Sequence, residues 1–181
     1  MIMHETAVAG AFVIEPELAE DERGWFARVF AAAEFGANGL ETAVAETSIA
    51  YNRSRLTLRG LHYQTAPHEE TKLVRCTHGS AYDVIADLRP ESPTSRRWHG
   101  VELSRENHLA LYVPAGCAHG YLTLEDDTEL LYQISRPYMP DAATGVRWND
   151  PLFGIRWPET PQVISPRDAS YPDYRRITER A

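Results

Sequence analysis

Tyr82-Asp83-Val84-Ile85-Ala86-Asp87-Leu88 is the stretch on which the fold turns. Tyr82, Val84, Ala86 and Leu88 alternate with Asp83, Ile85 and Asp87, a period of two that belongs to a strand rather than to one stripe of a helix. The rhythm recurs outward from there. Leu109, Leu111 and Val113 alternate with Ala110 and Tyr112, and Leu130, Tyr132 and Ile134 alternate with Leu131 and Gln133. The breaks between these runs, Thr77-His78-Gly79-Ser80, Arg89-Pro90-Glu91-Ser92-Pro93 and Pro114-Ala115-Gly116, carry turn residues. From about Arg55 to Ser135 strand therefore follows strand, which predicts an all-β sandwich or barrel. Helix is confined to the periphery. Ala31-Ala32-Ala33-Glu34-Phe35 before Gly36 suits a turn or two, and Ser104-Arg105-Glu106-Asn107 a tight connection. The tail from Pro158 carries Pro158, Pro161, Pro166 and Pro172, and is predicted to wrap over the surface rather than join the sheet.

A chain of 181 residues without an internal repeat, a low-complexity tract or a linker before its last dozen residues predicts a single domain, 1–181, with an irregular tail from about 158. Its formal net charge of −8 argues against nucleic acid and anionic membranes as partners, while leaving room for a local basic pocket that takes a phosphorylated small molecule. No window approaches the roughly 18 apolar residues of a membrane span. Met1-Ile2-Met3-His4-Glu5 lacks the basic and apolar regions of a secretory signal. Cys76 and Cys117 accordingly read as reduced thiols in a cytoplasmic protein.

The chemistry concentrates in Leu58-Arg59-Gly60-Leu61-His62-Tyr63-Gln64 and in Lys72-Leu73-Val74-Arg75, which read as neighbouring strands. Alternation predicts Leu58, Gly60 and His62 on one face, with Thr57, Arg59, Leu61 and Tyr63 on the other. Small Gly60 then leaves room for a ligand beside His62. A lone histidine is more often a core residue held by a hydrogen bond, but Lys72 shifts the balance. An imidazole, with an ordinary pKa of about 6.5, takes a proton at neutral pH, and a nearby ammonium stabilises an enolate oxygen as charge develops on it.

Tyr132, between Leu130 and Ile134, is either an ordinary core tyrosine or a general acid facing the base, and spacing leaves both roles open. His119, in Pro114-Ala115-Gly116-Cys117-Ala118-His119-Gly120, looks like the second half of a cupin signature. The first half would need paired histidines and a glutamate, whereas the corresponding strand offers only His62. No H-x-H pair occurs among the seven histidines, so no metal is expected, and His119 suits donation to a ligand oxygen. Asp21-Glu22-Arg23-Gly24-Trp25-Phe26 reads as a solvated turn with an apolar anchor, or as a phosphate contact by Arg23 and a stacking surface on Phe26. A Gly-rich phosphate loop, a G-x-S-x-G elbow and a C-x-x-C pair are all missing, which removes support from nucleotide hydrolysis, acyl transfer and structural zinc.

From about Arg23 to Asp168 the chain resembles the dTDP-4-dehydrorhamnose 3,5-epimerase family, a metal-free branch of the cupin superfamily. The landmarks are Asp21-x-Arg23-Gly24-x-Phe26, Leu58 to Gln64, Lys72 to Arg75, Asp83 to Ser92-Pro93-Thr94, Tyr112-Val113-Pro114 to Ala118-His119-Gly120, Leu131-Tyr132 and Trp148-Asn149-Asp150-Pro151. The resemblance implies a cupin-like double-stranded β-helix, or jelly roll, with short peripheral helices. It implies His62 as the base, supported by Asp168 in Ser165-Pro166-Arg167-Asp168, Tyr132 as the acid on the other face, and Lys72 as the group that contacts substrate and steadies the enolate. Arg23, Arg59, His119 and Arg167 would hold the sugar or its diphosphate, and Tyr138 with Phe26 would flank the base of the nucleotide. It further implies a homodimer that shares site residues between subunits, a nucleotide-diphosphate 4-keto-6-deoxyhexose as substrate, and no cofactor.

The chain departs from the family pattern on the nucleotide side. Arg28 replaces a glutamate, Thr47-Ser48-Ile49 replaces a Gln-x-Asn, and Ala143 replaces another glutamate. The expected preference for thymidine is weakened while the catalytic set stands. Inversion of one centre only, on a CDP-, GDP- or UDP-linked keto-sugar, is the nearest competing reading, and a non-catalytic sugar-binding cupin the next. A binder has no need of an acid and a base together.

Overall fold

The computed structural model describes residues 1–174. Most of its strands fall into two facing sheets. After β1 (Ile2–Glu5) and β2 (Phe12–Glu15) the chain makes a separate hairpin, β3 (Leu18–Asp21) with β4 (Gly24–Ala27), and a short helix, α1 (Ala32–Ala37). Then come β5 (Glu46–Asn52), β6 (Thr57–Gln64), β7 (Lys72–His78), β8 (Ser80–Asp87), β9 (Trp98–Ser104), β10 (Ala110–Val113), β11 (Cys117–Thr123) and β12 (Thr128–Ile134). The short β13 (Ala143–Gly145), β14 (Val163–Ile164) and α2 (Pro166–Ala169) close the described chain. One sheet has the order β1-β2-β10-β7-β12-β5, and the other β13-β6-β11-β8-β9 with β14 beside β6. From β5 to β8 and from β9 to β13 consecutive strands fall in opposite sheets, while β1 and β2, β8 and β9, and β13 and β14 each share one. This is the winding of a jelly roll, and the all-β cupin-like expectation holds.

The inter-sheet core joins Val74, Cys76, Leu111, Val113 and Leu130 of the first sheet to Ala81, Ile85, Leu103 and Tyr121 of the second. In β8 it is Ala81 and Ile85 that point inward, so Asp83 and Asp87 share that buried face. Val84, Ala86 and Leu88 lie on the opposite face, under Val146, Phe153 and Trp157. Asp87 is matched by Arg89, Ser92 and Thr94, whose donors reach its carboxylate at 2.6–2.8 Å. Across the outer face of the first sheet, α1 inserts Phe35 between Phe30 and Tyr112.

Three expectations are corrected here. First, β6 and β7 are not neighbours: they belong to opposite sheets, because the connection between them crosses from one sheet to the other. Second, strict alternation fails on β6. His119 pairs with His62 and Tyr121 with Arg59, so three steps on β6 oppose two on β11. The extra residue is a bulge, and it turns Arg59 and His62 toward the same cavity. Gly60 leaves no room for a ligand, since a Cβ there would sit 2.5 Å from the Cα of Gly120. Third, the tail does join the sheet. Val163 and Ile164 pair in parallel with Thr57 and Leu58, using the short proline-free span between Pro161 and Pro166.

Candidate active site

A cavity of about 420 Å³ opens between the sheets at one end of the roll. β6 supplies Arg59 and His62, β11 His119, β12 Tyr132, β7 Lys72 and β5 Ser48 and Ala50, while Tyr138, Ala143 and Arg167 stand at the rim.

His62 is held from the C-terminal side. Ser165 caps α2 by accepting the Asp168 N–H at 3.0 Å, and Pro166 occupies the first turn, where its missing donor costs nothing. This fixes Asp168 with Oδ1 2.8 Å from His62 Nε2 and Oδ2 accepting the Gly60 N–H at 3.2 Å. Burial alone would raise the Asp168 carboxyl. The hydrogen bond and charge of His62 and the Gly60 amide more than reverse this, and its pKa is lowered. The imidazole itself remains 42% exposed, facing the cavity.

Tyr132 faces it from the opposite sheet. Burial, then the neighbouring Tyr121 and Asp83, push its phenol well above the ordinary value. Tyr121 donates to Asn52 Oδ1 at 3.1 Å, and Arg59 Nε donates to the same oxygen at 2.8 Å, so a polar chain links the phenol to the arginine. His119, almost wholly buried, pairs through Nε2 with Asp83 Oδ1 at 2.7 Å and meets the Tyr132 ring edge-on at 5.8 Å.

Lys72, the chain's only lysine, crosses the interior. Its Nζ reaches the His62 carbonyl oxygen at 3.3 Å and Glu70 Oε1 at 3.1 Å. At the rim the Tyr138 N–H donates to Glu46 at 2.9 Å, and Gln64, buried, accepts the Met139 N–H at 2.6 Å, which fixes the segment that carries the tyrosine. Arg167 rests on the Tyr171 ring, with its pKa raised by Tyr138 and then Tyr171.

The structure therefore gathers His62, Asp168, Tyr132, Lys72, Arg59, His119, Tyr138 and Arg167 around one cavity. Arg23 and Phe26 lie elsewhere, on the β3–β4 hairpin, where Arg23 pairs with Asp21 and Phe26 is 70% exposed. Of the altered nucleotide-side positions, Ile49 and Ala143 line the cavity and Thr47 and Arg28 do not. Sequence reading missed Asp83 as the partner of His119, Glu70 beside Lys72, and Arg136 at the rim. Asp83 carried a readable signal, a carboxylate within an apolar strand, where an acid survives only if paired. Glu70 and Arg136 sit in loops without periodicity and carried none. Among the described residues no group of three or more His, Cys, Asp or Glu side chains is placed to hold a metal ion, and no helix is long and apolar enough to cross a membrane.

By fold this is a cupin-like jelly roll. The sequence profile described as dTDP-4-dehydrorhamnose 3,5-epimerase matches residues 5–176. The chain is 39% identical over 173 residues to the dTDP-4-dehydrorhamnose 3,5-epimerase of Sinorhizobium fredii, covering 95% of this chain and 89% of that protein. The crystal structure of the Bacillus anthracis dTDP-4-dehydrorhamnose 3,5-epimerase with TDP and PPi bound superposes with a TM-score of 0.92 at 37% identity, over 96% of this chain and 99% of that one. A 3'-monoepimerase from Streptomyces bikiniensis, in complex with dTDP-quinovose, gives 0.86 at 35% identity, over 94% and 87%. The chain belongs to the dTDP-4-dehydrorhamnose 3,5-epimerase family, whose members are isomerases.

Proposed function

We propose that the chain inverts the centres flanking the 4-keto group of a nucleotide-linked 4-keto-6-deoxyhexose, in the manner of dTDP-4-dehydro-6-deoxyglucose to dTDP-4-dehydrorhamnose. The observation that carries this reading is the His62–Asp168 pair at 2.8 Å, set across the cavity from Tyr132 on the facing sheet. A hydrogen beside a carbonyl is acidified. His62 Nδ1, the ring nitrogen not engaged by Asp168, takes that proton, and the C–H electron pair moves into the enolate whose oxygen becomes anionic. Asp168 stabilises the imidazolium, and the Lys72 ammonium balances the oxygen. Tyr132 then delivers its proton to the opposite face of the same carbon, restoring the carbonyl with inverted configuration. A phenol held well above its ordinary pKa stays protonated until a base as strong as an enolate is present. Each positioned acid or base is worth about 10²–10⁴-fold.

Arg59, His119 and Arg167 hold the sugar and its diphosphate, and Tyr138 stacks on the base. Arg23 and Phe26 serve the cavity of a second copy in a homodimer. The exposed hairpin supports this, as does the uncovered apolar sheet face at Ile49 and Tyr51, 62% and 50% exposed. The whole chain works as one domain in the cytoplasm, where its two buried cysteines stay free.

Proton NMR in deuterated water tests the reaction. Uptake at carbons 3 and 5 that disappears in a folded His62→Asn variant is expected. Uptake at one carbon assigns single inversion, as in the monoepimerase, and no uptake from any nucleotide-linked 4-keto-sugar leaves a binding protein.

A further inference from the structure

We propose that Glu70 is a positioning residue for Lys72. The proposal rests on the reading above, in which the ammonium meets an oxygen of the bound sugar. Glu70 sits in the loop before β7 with its side chain only 7% exposed, and it lines the cavity. Burying a carboxylate is costly unless it is paired and hydrogen-bonded. Oε1 meets Lys72 Nζ at 3.1 Å, while Oε2 is buried without a hydrogen-bond partner among the described residues. A half-satisfied carboxylate is a poor stabiliser of a fold, since breaking even with an apolar side chain is the usual best outcome for such a pair. Its specific product is geometric. An ammonium has three N–H donors on a flexible four-carbon stem. Glu70 takes one, the His62 carbonyl oxygen at 3.3 Å takes a second, and the third is left for an oxygen in the cavity. One of these acceptors is the main chain of the base itself, so base and cation keep a fixed separation.

Because Lys72 is the only lysine, the position of this amine can be read without any turnover. Amine acylation of the full chain by a small N-hydroxysuccinimide ester, followed by peptide mass spectrometry, reports Lys72 alone beside the α-amino group. Glu70→Gln keeps a carbonyl acceptor for the ammonium. It should acylate at the wild-type rate and keep kcat for C–H exchange within about threefold. Glu70→Ala frees the amine. It should acylate faster by about fivefold or more, and lose about 10–100-fold in kcat with KM little changed, the cost of a misplaced group. Circular dichroism melts establish that both variants fold. The proposal is overturned if Lys72 acylates equally in wild type and Glu70→Ala, if it acylates faster with kcat unaltered, or if Glu70→Gln fails as badly as Glu70→Ala. Absence of exchange in the wild-type chain would instead remove the reading of the reaction, and the acylation rates would still decide whether Glu70 holds Lys72.

Discussion

Asp168 grips His62 from a different part of the chain, 106 residues away, and the same carboxylate takes the amide of Gly60 on the strand that carries the histidine. One acid therefore locks both the imidazole of His62 and the backbone beneath it.

The first prediction follows from that double contact. Asp168→Asn should cut turnover by about 10²-fold or more, since the imidazolium loses its counter-charge. Its effect on stability should depend on pH. A carboxyl whose folded pKa is lowered stabilises the folded chain above its unfolded pKa of about 3.9, and that contribution is lost as pH falls through the still lower folded value. Thermal melts of both proteins between about pH 7 and pH 3 should show a gap that is constant near neutrality and closes at the acid end. A gap of equal size at every pH would mean that the charge contributes nothing.

Tyr132 should act after His62. Tyr132→Phe is expected to slow product formation far more than deuterium entry into recovered substrate, because the base removes its proton before the acid is needed. Exchange and turnover falling by the same factor would give Tyr132 another role.

The hairpin makes a third prediction. If Arg23 completes the cavity of a second copy, Arg23→Ala and His62→Asn are each inactive alone, yet co-expressed they form mixed dimers with one whole site. Random pairing should restore about a quarter of the wild-type sites. No recovery, in a preparation that light scattering shows to be dimeric, would place Arg23 on its own cavity or on none.

The fourth prediction concerns the nucleotide. Ile49 and Ala143 line the rim where the family pattern has an amide and an acid. A lost buried hydrogen bond costs about 1–3 kcal/mol, or one to two orders of magnitude in affinity. Stacking on Tyr138 and the arginine contacts are indifferent to the base. Calorimetric titration at one salt concentration should therefore find dTDP with little advantage over UDP, CDP or GDP. A preference for dTDP of about a hundredfold or more would show that these positions never read thymine.

The strands were legible because alternation is a local property, and His62 and Lys72 stood out because an imidazole and an ammonium are unusual in apolar strands. Tyr132 did not, since tyrosine is common there, and only the resemblance singled it out. The faces of β6 were not. A bulge is a relation between two strands, and its sign on β6 was Gly60, read as room for a ligand rather than as the irregular, closely approached backbone that a glycine inside a strand marks. The tail misled for a similar reason. Counting prolines from Pro158 onward was sound for most of it, but two residues suffice for the ladder with β6, and a Ser-Pro-x-Asp start suffices for the turn of helix that brings Asp168 home. Glu70 was invisible because an acid in a polar loop is unremarkable until the fold closes over it.

The floor of the cavity at Gly120 is bare main chain backed by that of Gly60, with no space for even a methyl group on either glycine. A floor of that kind cannot be retuned by single substitutions. The rim is the opposite, made of side chains from the start of β5 and from the segment around Tyr138 to Thr144 that bear little of the core. What can drift is thus separate from what cannot: the main chain under the cavity is fixed by close contact, while the residues at the rim can be exchanged. Descendants of such a chain can change customers without changing trade.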